Sequence, residues 1–420
     1  MKYVNSGNGK MPLISLLAIL SISLTVNLPG LAISPIEGKL HDVFSHVSDL
    51  QIQLLEVLPN VVVIPFILLA GKIATKRRQI GVLAFGLGLY ALSGVAYLFA
   101  NSINQLIVLG CILGVGCGLV IPLAASLISE YFEGEARASV LGKKSGLSNF
   151  MVIIGTALVG WIAEFDWHYS FFIYLTPLIP LALLPFMSNR FINTHQKIAD
   201  TPQPAAQAKT PQKAAAGSII STKTIFWAMA GLIGLYVAMT YGTMVVSYYI
   251  PFTMQHFRFD SGQVGVATAM YYLAATVAGF LLPYIVKILG KASLQTAIFL
   301  MAIGLYAVAI FHTDISYCIA IFVTGFGYGI LQPVIYDKTT RVAPNKAAST
   351  RYFSYLLSGN YVGIAITPFI IDAMSKLFHA TKDIEFSYIF NGSFTVAVLI
   401  LSIIFCRSFV FNANRHSLQD

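Results

Sequence analysis

The chain has 420 residues, a net charge of +9 and a mean hydropathy of +0.75, with 57% hydrophobic and only 10% charged side chains. So few charged side chains cannot cover the surface of a water-soluble protein of this length, which excludes soluble enzymes and soluble binding proteins. The excess of positive charge would suit a nucleic-acid-binding protein, but the places where these charges fall argue against that class.

Twelve stretches of about twenty residues or more contain no Lys or Arg, and their only acidic side chain is Glu56. A helix that crosses the hydrocarbon of a bilayer needs about 20 apolar residues. The sequence therefore predicts an all-α membrane protein with twelve transmembrane helices. The spans are expected at about 11–36, 51–71, 79–101, 103–129, 145–163, 170–189, 224–253, 261–286, 292–311, 315–336, 352–371 and 386–406.

The positive charges separate by membrane side when both termini are placed in the cytoplasm. This topology puts 22 of the 26 Lys and Arg residues inside, and only Lys39, Arg258, Lys376 and Lys382 outside. Cytoplasmic loops of membrane proteins carry such an excess of Lys and Arg. The basic character therefore indicates topology in a cell membrane, and no nucleic-acid partner is expected.

The composition changes between spans 6 and 7, where the chain runs through Gln, Ala, Pro and Lys. We expect a flexible cytoplasmic linker at 193–222, between a six-helix bundle at 1–192 and a second at 223–420. Asn149 and Thr156 in span 5 have the same seven-residue spacing as Asn360 and Thr367 in span 11. Two such bundles, related by a pseudo-two-fold axis, place a substrate site where the halves meet.

Three segments are similar to motifs of one transporter family. GKIATKRR after span 2 is similar to a G-x-L-a-D-x-x-G-R-R loop, LGCILGVGCGL in span 4 to an R-x-x-x-G-x-G helix, and GTALVGWIA in span 5 to a G-P-x-x-G-G motif. The chain therefore resembles the major facilitator superfamily, and within it the twelve-helix bacterial drug:proton antiporters. The resemblance implies export by alternating access and a conformational loop at Gly71, Lys72, Arg77 and Arg78.

The chain departs from these motifs at three functional positions. Thr75 occupies the place of the loop's Asp, Gly110 that of the Arg on span 4, and Thr156 that of the Pro on span 5. The family associates the Arg with proton coupling. Uptake or facilitated diffusion of a metabolite is therefore the alternative to export.

Glycines in two spans are predicted to form helix-packing surfaces, because small residues let helix backbones approach closely in lipid. They are Gly114, Gly116 and Gly118 in span 4, and Gly155 and Gly160 in span 5.

Glu56 is the side chain most at odds with its surroundings, since a carboxylate in hydrocarbon is costly and marks a functional position by default. Gln53, Glu56 and Asn60 have the spacing of one helix face. We expect this face to carry protons or to gate the pathway. A partly hydrated acid near the outer end of span 2 is the competing interpretation.

Polar residues at helical spacing follow spans 7 and 10. Tyr236, Thr240, Thr243 and Ser247 share one face of span 7, and Thr324, Tyr328, Gln332 and Tyr336 share one face of span 10. Hydrogen bonding between helices explains each residue singly, whereas two full stripes favour a lined pathway. The predicted substrate-binding residues are Asn27, Tyr236, Thr240, Thr243, Tyr328, Gln332, Tyr336 and Asn360.

These features predict a monomeric secondary transporter that moves a small amphipathic or lipophilic solute, with lipid and, in a proton-coupled mechanism, protons as its other partners. A polytopic membrane enzyme or sensor is the alternative from another class, but the spans carry no catalytic, metal or phosphate-binding constellation. No cofactor or metal is expected.

Overall fold

The structure is a computed structural model, and it describes most of the chain. The described residues are 2–7, 9–26, 33, 36, 40, 43–44, 49–74, 79–163, 165–187, 192, 222–256, 261–343, 348–380, 385–406 and 408–411, with the backbone alone at a few positions inside the helices. The predicted linker lies outside this part of the chain, except for its last residue.

The first half begins with a short antiparallel hairpin, β1 (Tyr3–Asn5) and β2 (Lys10–Pro12). Its helices are α1 (Leu13–Ser21, continued by a 3-10 turn at Ile22–Leu24), α2 (Asp49–Ile73), α3 (Gln79–Tyr97), α4 (Ile103–Tyr131) and α5 (Gly134–Ala163). A 3-10 segment at Trp167–Leu175 and the short helices α6 (Leu178–Ala182) and α7 (Leu184–Met187) complete it.

The described residues of the second half form six α-helices, which correspond in order to predicted spans 7 to 12. They are α8 (Thr222–His256), α9 (Ser261–Leu289), α10 (Ser293–Ile310), α11 (Asp314–Val342), α12 (Ser349–Leu377) and α13 (Phe386–Ile404). Within the described residues, six helices are long and apolar enough to cross a membrane, or seven if the bent α12 counts as one span. The helical class predicted from the sequence is confirmed.

Span 6 differs from its prediction as one straight helix at 170–189. The chain there forms the 3-10 segment and two short helices instead. Pro177, Pro180 and Pro185 fall within twelve residues of the 3-10 segment. Each proline removes a backbone donor and clashes with the preceding turn, and three prolines within nine residues disfavour a continuous α-helix more strongly than the one or two prolines inside α2, α4, α9 and α11.

Helices α5 and α11 extend well beyond the apolar stretches that predicted them. α5 begins at Gly134, where the sequence predicted a loop up to Ser145, and α11 continues to Val342 past the predicted end at Tyr336. Hydropathy detects the part of a helix that lies in lipid, but it does not detect a polar extension of the same helix. The charged residues Arg137, Lys144 and Asp337 therefore lie on helices.

Glycines permit the close packing inside the first half. A Cβ added at Gly114 would lie 2.6 Å from the backbone oxygen of Pro59, and one at Gly118 would lie 2.6 Å from Cβ of Phe66, both on α2. On the other side of α4, a Cβ at Gly116 would lie 2.9 Å from the backbone oxygen of Gly86 on α3. α4 is thus held between α2 and α3 with no space for side chains at these positions.

The halves also approach through small residues. α5 packs on α9, where a Cβ at Gly142 would lie 2.5 Å from the backbone oxygen of Gly279, and α2 packs on α12, where one at Gly71 would lie 2.5 Å from Ser354 Oγ. The predicted Gly155 is buried on α5, and what lies around Gly155 and Gly160 is outside the described contacts.

We expect Gly114→Ala to lower the free energy of unfolding by about 1–3 kcal/mol, because the new methyl group meets a backbone oxygen that cannot move aside. Thermal unfolding of the purified protein in detergent measures the change. Gly88→Ala on α3 is the matched control, since a Cβ there meets nothing within 4 Å. Equal melting temperatures for the two variants would contradict the close packing of α2 on α4.

Candidate functional site

A charged cluster joins the two halves at the end that the charge distribution assigns to the cytoplasm. Arg137 on α5 donates from Nε to Oδ1 of Asp337 on α11 at 2.7 Å, and Arg341 donates from Nε to the other oxygen at 2.6 Å. The three side chains are 10–14% exposed. Both carboxylate oxygens are therefore occupied, and the contact crosses from one half to the other.

Hydroxyl and amide groups continue this contact along the same end. Gln79 Nε2 donates to Thr350 Oγ1 at 3.0 Å, and Thr350 Oγ1 donates to Ser126 Oγ at 3.0 Å. Ser129 Oγ lies 2.6 Å from Thr340 Oγ1. Each of these contacts joins α3 or α4 to α11 or α12, so the cytoplasmic ends of the halves are closed on each other by polar groups.

Deeper between the halves, four side chains form a hydrogen-bonded chain. Ser145 Oγ on α5 donates to Gln332 Oε1 at 2.6 Å, and Gln332 Nε2 donates to Tyr236 OH at 2.9 Å. Tyr236 OH lies 3.1 Å from Tyr336 OH. Three residues from the predicted stripes of spans 7 and 10 thus meet, joined by a serine from the other half. We call this group the Tyr236 cluster.

A second hydrogen-bonded group, which includes residues of the same stripes, lies between α8, α11 and α12. Thr240 Oγ1 donates to Asn360 Oδ1 at 2.7 Å, and Tyr328 OH donates to the same oxygen at 3.4 Å. Tyr271 on α9 adds its ring 6.2 Å from that of Tyr328. Four side chains from four helices therefore converge beside the Tyr236 cluster.

Two residues of the stripes donate their hydroxyl hydrogen bonds to backbone oxygens of their own helices. Thr243 Oγ1 donates to the backbone oxygen of Met239, one turn earlier on its own helix. Thr324 Oγ1 donates to the backbone oxygen of Ala320 and faces Gly304 on α10. The span 10 stripe has a spacing of exactly four residues, which drifts around the helix because a turn has only 3.6 residues, so Thr324 at the end of that stripe is rotated away from its centre.

Lys144 is the residue that sequence reasoning missed. It was counted as a loop charge, yet on α5 it is only 2% exposed, and its Nζ lies 4.8 Å from the centre of the Tyr336 ring. The signal in the sequence is the absence of proline from 123 to 176, which allows the helix to start before the apolar stretch.

Several predicted site residues lie away from these two polar groups, and the side chains of others lie outside the described residues. Asn60 is half-buried on α2, Gly71 is at the contact with α12, and Lys72 is exposed. The side chains of Gln53 and Glu56 lie outside the described residues, as do Asn27, Arg77 and Arg78. Their predicted roles in proton movement, solute binding and the conformational loop stay predictions.

Comparison with known proteins identifies the family to which this helical fold belongs. A family model described as the Major Facilitator Superfamily matches residues 13–260 and, separately, residues 232–410. The chain is similar to the solved proton:xylose symporter XylE bound to 6-bromo-6-deoxy-D-glucose, with a TM-score of 0.73, 14% identity and 97% coverage of each chain. At that identity the likeness concerns the fold alone.

Two curated relatives match shorter parts of the chain. It is 29% identical over 108 residues to Multidrug transporter protein MdtP of Bacillus subtilis, covering 26% of this chain and 20% of that protein. It is 25% identical over 213 residues to an uncharacterized transporter of Rickettsia felis, covering 50% of this chain and 49% of that one. The chain thus spans between a fifth and a half of the length of these relatives.

We expect Tyr236→Phe to weaken solute binding about fivefold, because it removes one buried hydrogen-bonding group from the Tyr236 cluster while keeping the ring. Binding to the purified protein, together with its melting temperature, measures the effect. Tyr97→Phe is the matched control, since Tyr97 OH donates to the backbone oxygen of Leu106 within the first half. A fivefold loss in both variants, or in neither, would remove Tyr236 from the solute site.

Proposed function

This chain belongs to the major facilitator superfamily, and from that premise we propose that it is a secondary transporter that exports a small amphipathic or lipophilic solute by alternating access. Transport across a membrane follows from the family. The direction, the class of solute and the coupling to protons are the parts that we propose.

The observation that carries the proposal is the polar closure between the halves. Arg137 with Asp337, Gln79 with Thr350, and Ser129 with Thr340 join them at one end through groups that water can replace. Hydrogen bonds exchanged for water cost little net free energy, about 1 kcal/mol each. Such a closure can open and reform, as alternating access requires, and with both termini in the cytoplasm, as proposed below, it would be the state closed toward the cytoplasm.

The solute class follows from the lining of the predicted pathway. Tyr236, Tyr328 and Tyr336 present ring faces together with hydroxyl groups, and Asn360 adds an amide. Aromatic residues of this kind bind an apolar body and a polar group at once. The similarity to a Bacillus multidrug transporter over part of the chain supports export of such a solute.

One observation favours the second candidate, uptake or facilitated diffusion of a metabolite. A Cβ added at Gly110, the place of the family's coupling Arg, would lie 2.9 Å from Tyr97 OH and 3.1 Å from Cγ of Pro59. The packing leaves no space for a side chain there. Coupling, where it exists, then depends on another titratable group, and Glu56 is our candidate.

We further propose that the protein is a monomer in the cell membrane with both termini in the cytoplasm. The assignment rests on the distribution of Lys and Arg between the loops. The proposed function requires lipid and a small solute, with protons as coupling ions, and it involves no enzymatic chemistry.

Counterflow with the protein in proteoliposomes tests the transport function. Vesicles loaded with unlabelled solute should accumulate labelled solute from outside, because a carrier exchanges solute without a net gradient. The screen uses a panel of drugs and metabolites. Exchange in protein-free vesicles at the same rate, for every compound, would overturn the proposal.

Glu56→Gln then tests coupling in the same vesicles. The neutral amide mimics a protonated acid, so counterflow should persist, whereas accumulation driven by an imposed pH gradient should fall to the level without a gradient. A variant that still concentrates solute in response to the gradient would remove the proton role from Glu56. Wild-type protein that ignores the gradient would favour facilitated diffusion.

We expect Asp337→Asn to open the cytoplasmic end, because Arg137 and Arg341 would then face each other without the shared carboxylate. In a background without the four native cysteines, a cysteine at Ser129 should react about tenfold faster with an impermeant thiol reagent in inside-out vesicles, which corresponds to about 1.4 kcal/mol.

The control for this experiment is Asp372→Asn. Asp372 also forms an ion pair one helical turn from its partner Lys376, but both side chains are exposed, at 59% and 66%. Such pairs contribute little, so labelling should not change. Equal labelling rates in Asp337→Asn and in the parent protein would show that the ion cluster does not hold the halves together.

A further inference from the structure

Lys144 lies where the two halves meet, in a position that packing alone does not explain. It is carried by α5 of the first half, and its ammonium group lies over the ring of Tyr336 on α11 of the second. The side chain is 2% exposed. Ser145, the next residue, belongs to the Tyr236 cluster through its 2.6 Å bond to Gln332. The lysine therefore borders the predicted solute site.

No carboxylate neutralises this ammonium group among the described residues. Asp337 follows Tyr336 directly in sequence, but its two oxygens are bound by Arg137 and Arg341. Within the part of the chain that the structure describes, the ammonium group has a cation–π contact with the ring of Tyr336, which is a weak substitute for a counter-charge.

A second buried lysine, Lys338 on α11 of the second half, illustrates a structural role. Lys338 is 1% exposed and also lies over an aromatic ring, that of Phe409, at 4.5 Å. In addition, its Nζ donates to the backbone oxygen of Phe409 at 2.6 Å. Lys338 thus has a fixed hydrogen-bond acceptor from the protein, which the described contacts of Lys144 lack.

A second donor without a partner lies on the same helix. Asn149 is one turn beyond Ser145 on α5 and is 6% exposed, and its Nδ2 has no hydrogen-bond partner within the described part of the chain. A buried ammonium one residue before Ser145 and a buried amide donor one turn after it therefore both lack an acceptor among the described residues. Buried donors and charges are retained where a partner occupies them in some functional state.

We propose that Lys144 is the counter-charge for an anionic group of the transported solute, so that this transporter carries small amphipathic organic anions, carboxylates in the simplest case. The assignment rests on the transport function proposed above. The carboxylate would accept from Lys144 Nζ, and the apolar body of the solute would lie against the tyrosine rings of the Tyr236 cluster.

A contact of this kind explains why the charge is placed between the halves. A solute held by Lys144 of one half and by Tyr236 or Gln332 of the other would touch both halves at once. Binding would then favour the conformations in which the two sides are close, and release would follow their separation.

Binding and exchange of acid and amide pairs test the proposal. A panel of aliphatic and aromatic carboxylates, each matched with its own neutral amide, is added to the purified protein, and the shift in melting temperature gives the affinity. At least one carboxylate should stabilise the wild-type protein and undergo counterflow, while its amide does neither. In Lys144→Met its affinity should fall at least about tenfold, the loss expected for a charged hydrogen bond.

Two further variants separate a solute contact from a structural role. Lys144→Arg keeps the charge and should retain binding within about threefold, a difference well below one charged hydrogen bond. Lys143→Met removes the neighbouring lysine, which is exposed, and should leave binding unchanged. Loss of folded protein in Lys144→Met, judged by size-exclusion chromatography, leaves Lys144→Gln to make the comparison.

The outcomes also distinguish this proposal from the proposed function. Counterflow of neutral or cationic compounds, with no carboxylate bound, would overturn the anion assignment and leave the transporter intact. The same result follows if carboxylates bind Lys144→Met and the wild-type protein equally. Absence of counterflow for every compound would overturn both.

Discussion

The constraint on which this structure depends is the lack of hydrogen-bond partners in hydrocarbon. Backbone groups of a chain with 57% hydrophobic residues must be satisfied within their own helices. Polar side chains on these helices have the same need, and they meet it by facing one another. The Ser145 to Tyr336 chain and the Thr240, Tyr328 and Asn360 group both lie between helices for that reason. A polar interior between the halves thus follows from burial in lipid.

The same constraint determines how much of the fold could be predicted. Charge-free stretches locate the helices well, because exclusion of charge is what lipid imposes. They locate helix ends poorly, since α5 and α11 continue as polar helices up to Gly134 and Val342. Span 6 was misjudged because hydropathy does not register the backbone donors that its prolines remove. The sequence did not predict the close approach at Gly142, because Gly142 lies in the polar extension of α5 that was predicted to be a loop.

The candidate site was predictable where helical spacing alone decides which side chains meet. Tyr236, Gln332 and Tyr336 were placed on facing stripes and do meet. Thr324 was assigned to the same stripe, yet its contact with Gly304 depends on how α10 packs, which no spacing on α11 encodes. The position of Lys144 could not be predicted from the sequence, because a lysine beside an apolar stretch ordinarily lies in a loop. Only the extended helix brings it over the Tyr336 ring.

The two kinds of contact between the halves have different consequences for motion. Gly142 lies closest to the backbone of Gly279 and Gly71 closest to the small side chain of Ser354, so no long side chains interlock at these closest contacts to resist a change in helix angle. The Arg137, Asp337 and Arg341 cluster is charged and only partly exposed, so it holds one end shut until water or a competing charge reaches it. An anion that approaches Lys144 from inside the protein arrives two helical turns along α5 from Arg137. A solute anion held there would bridge the two halves beside this cluster, so its binding would favour the closed cytoplasmic end, and its release would follow the opening of that end.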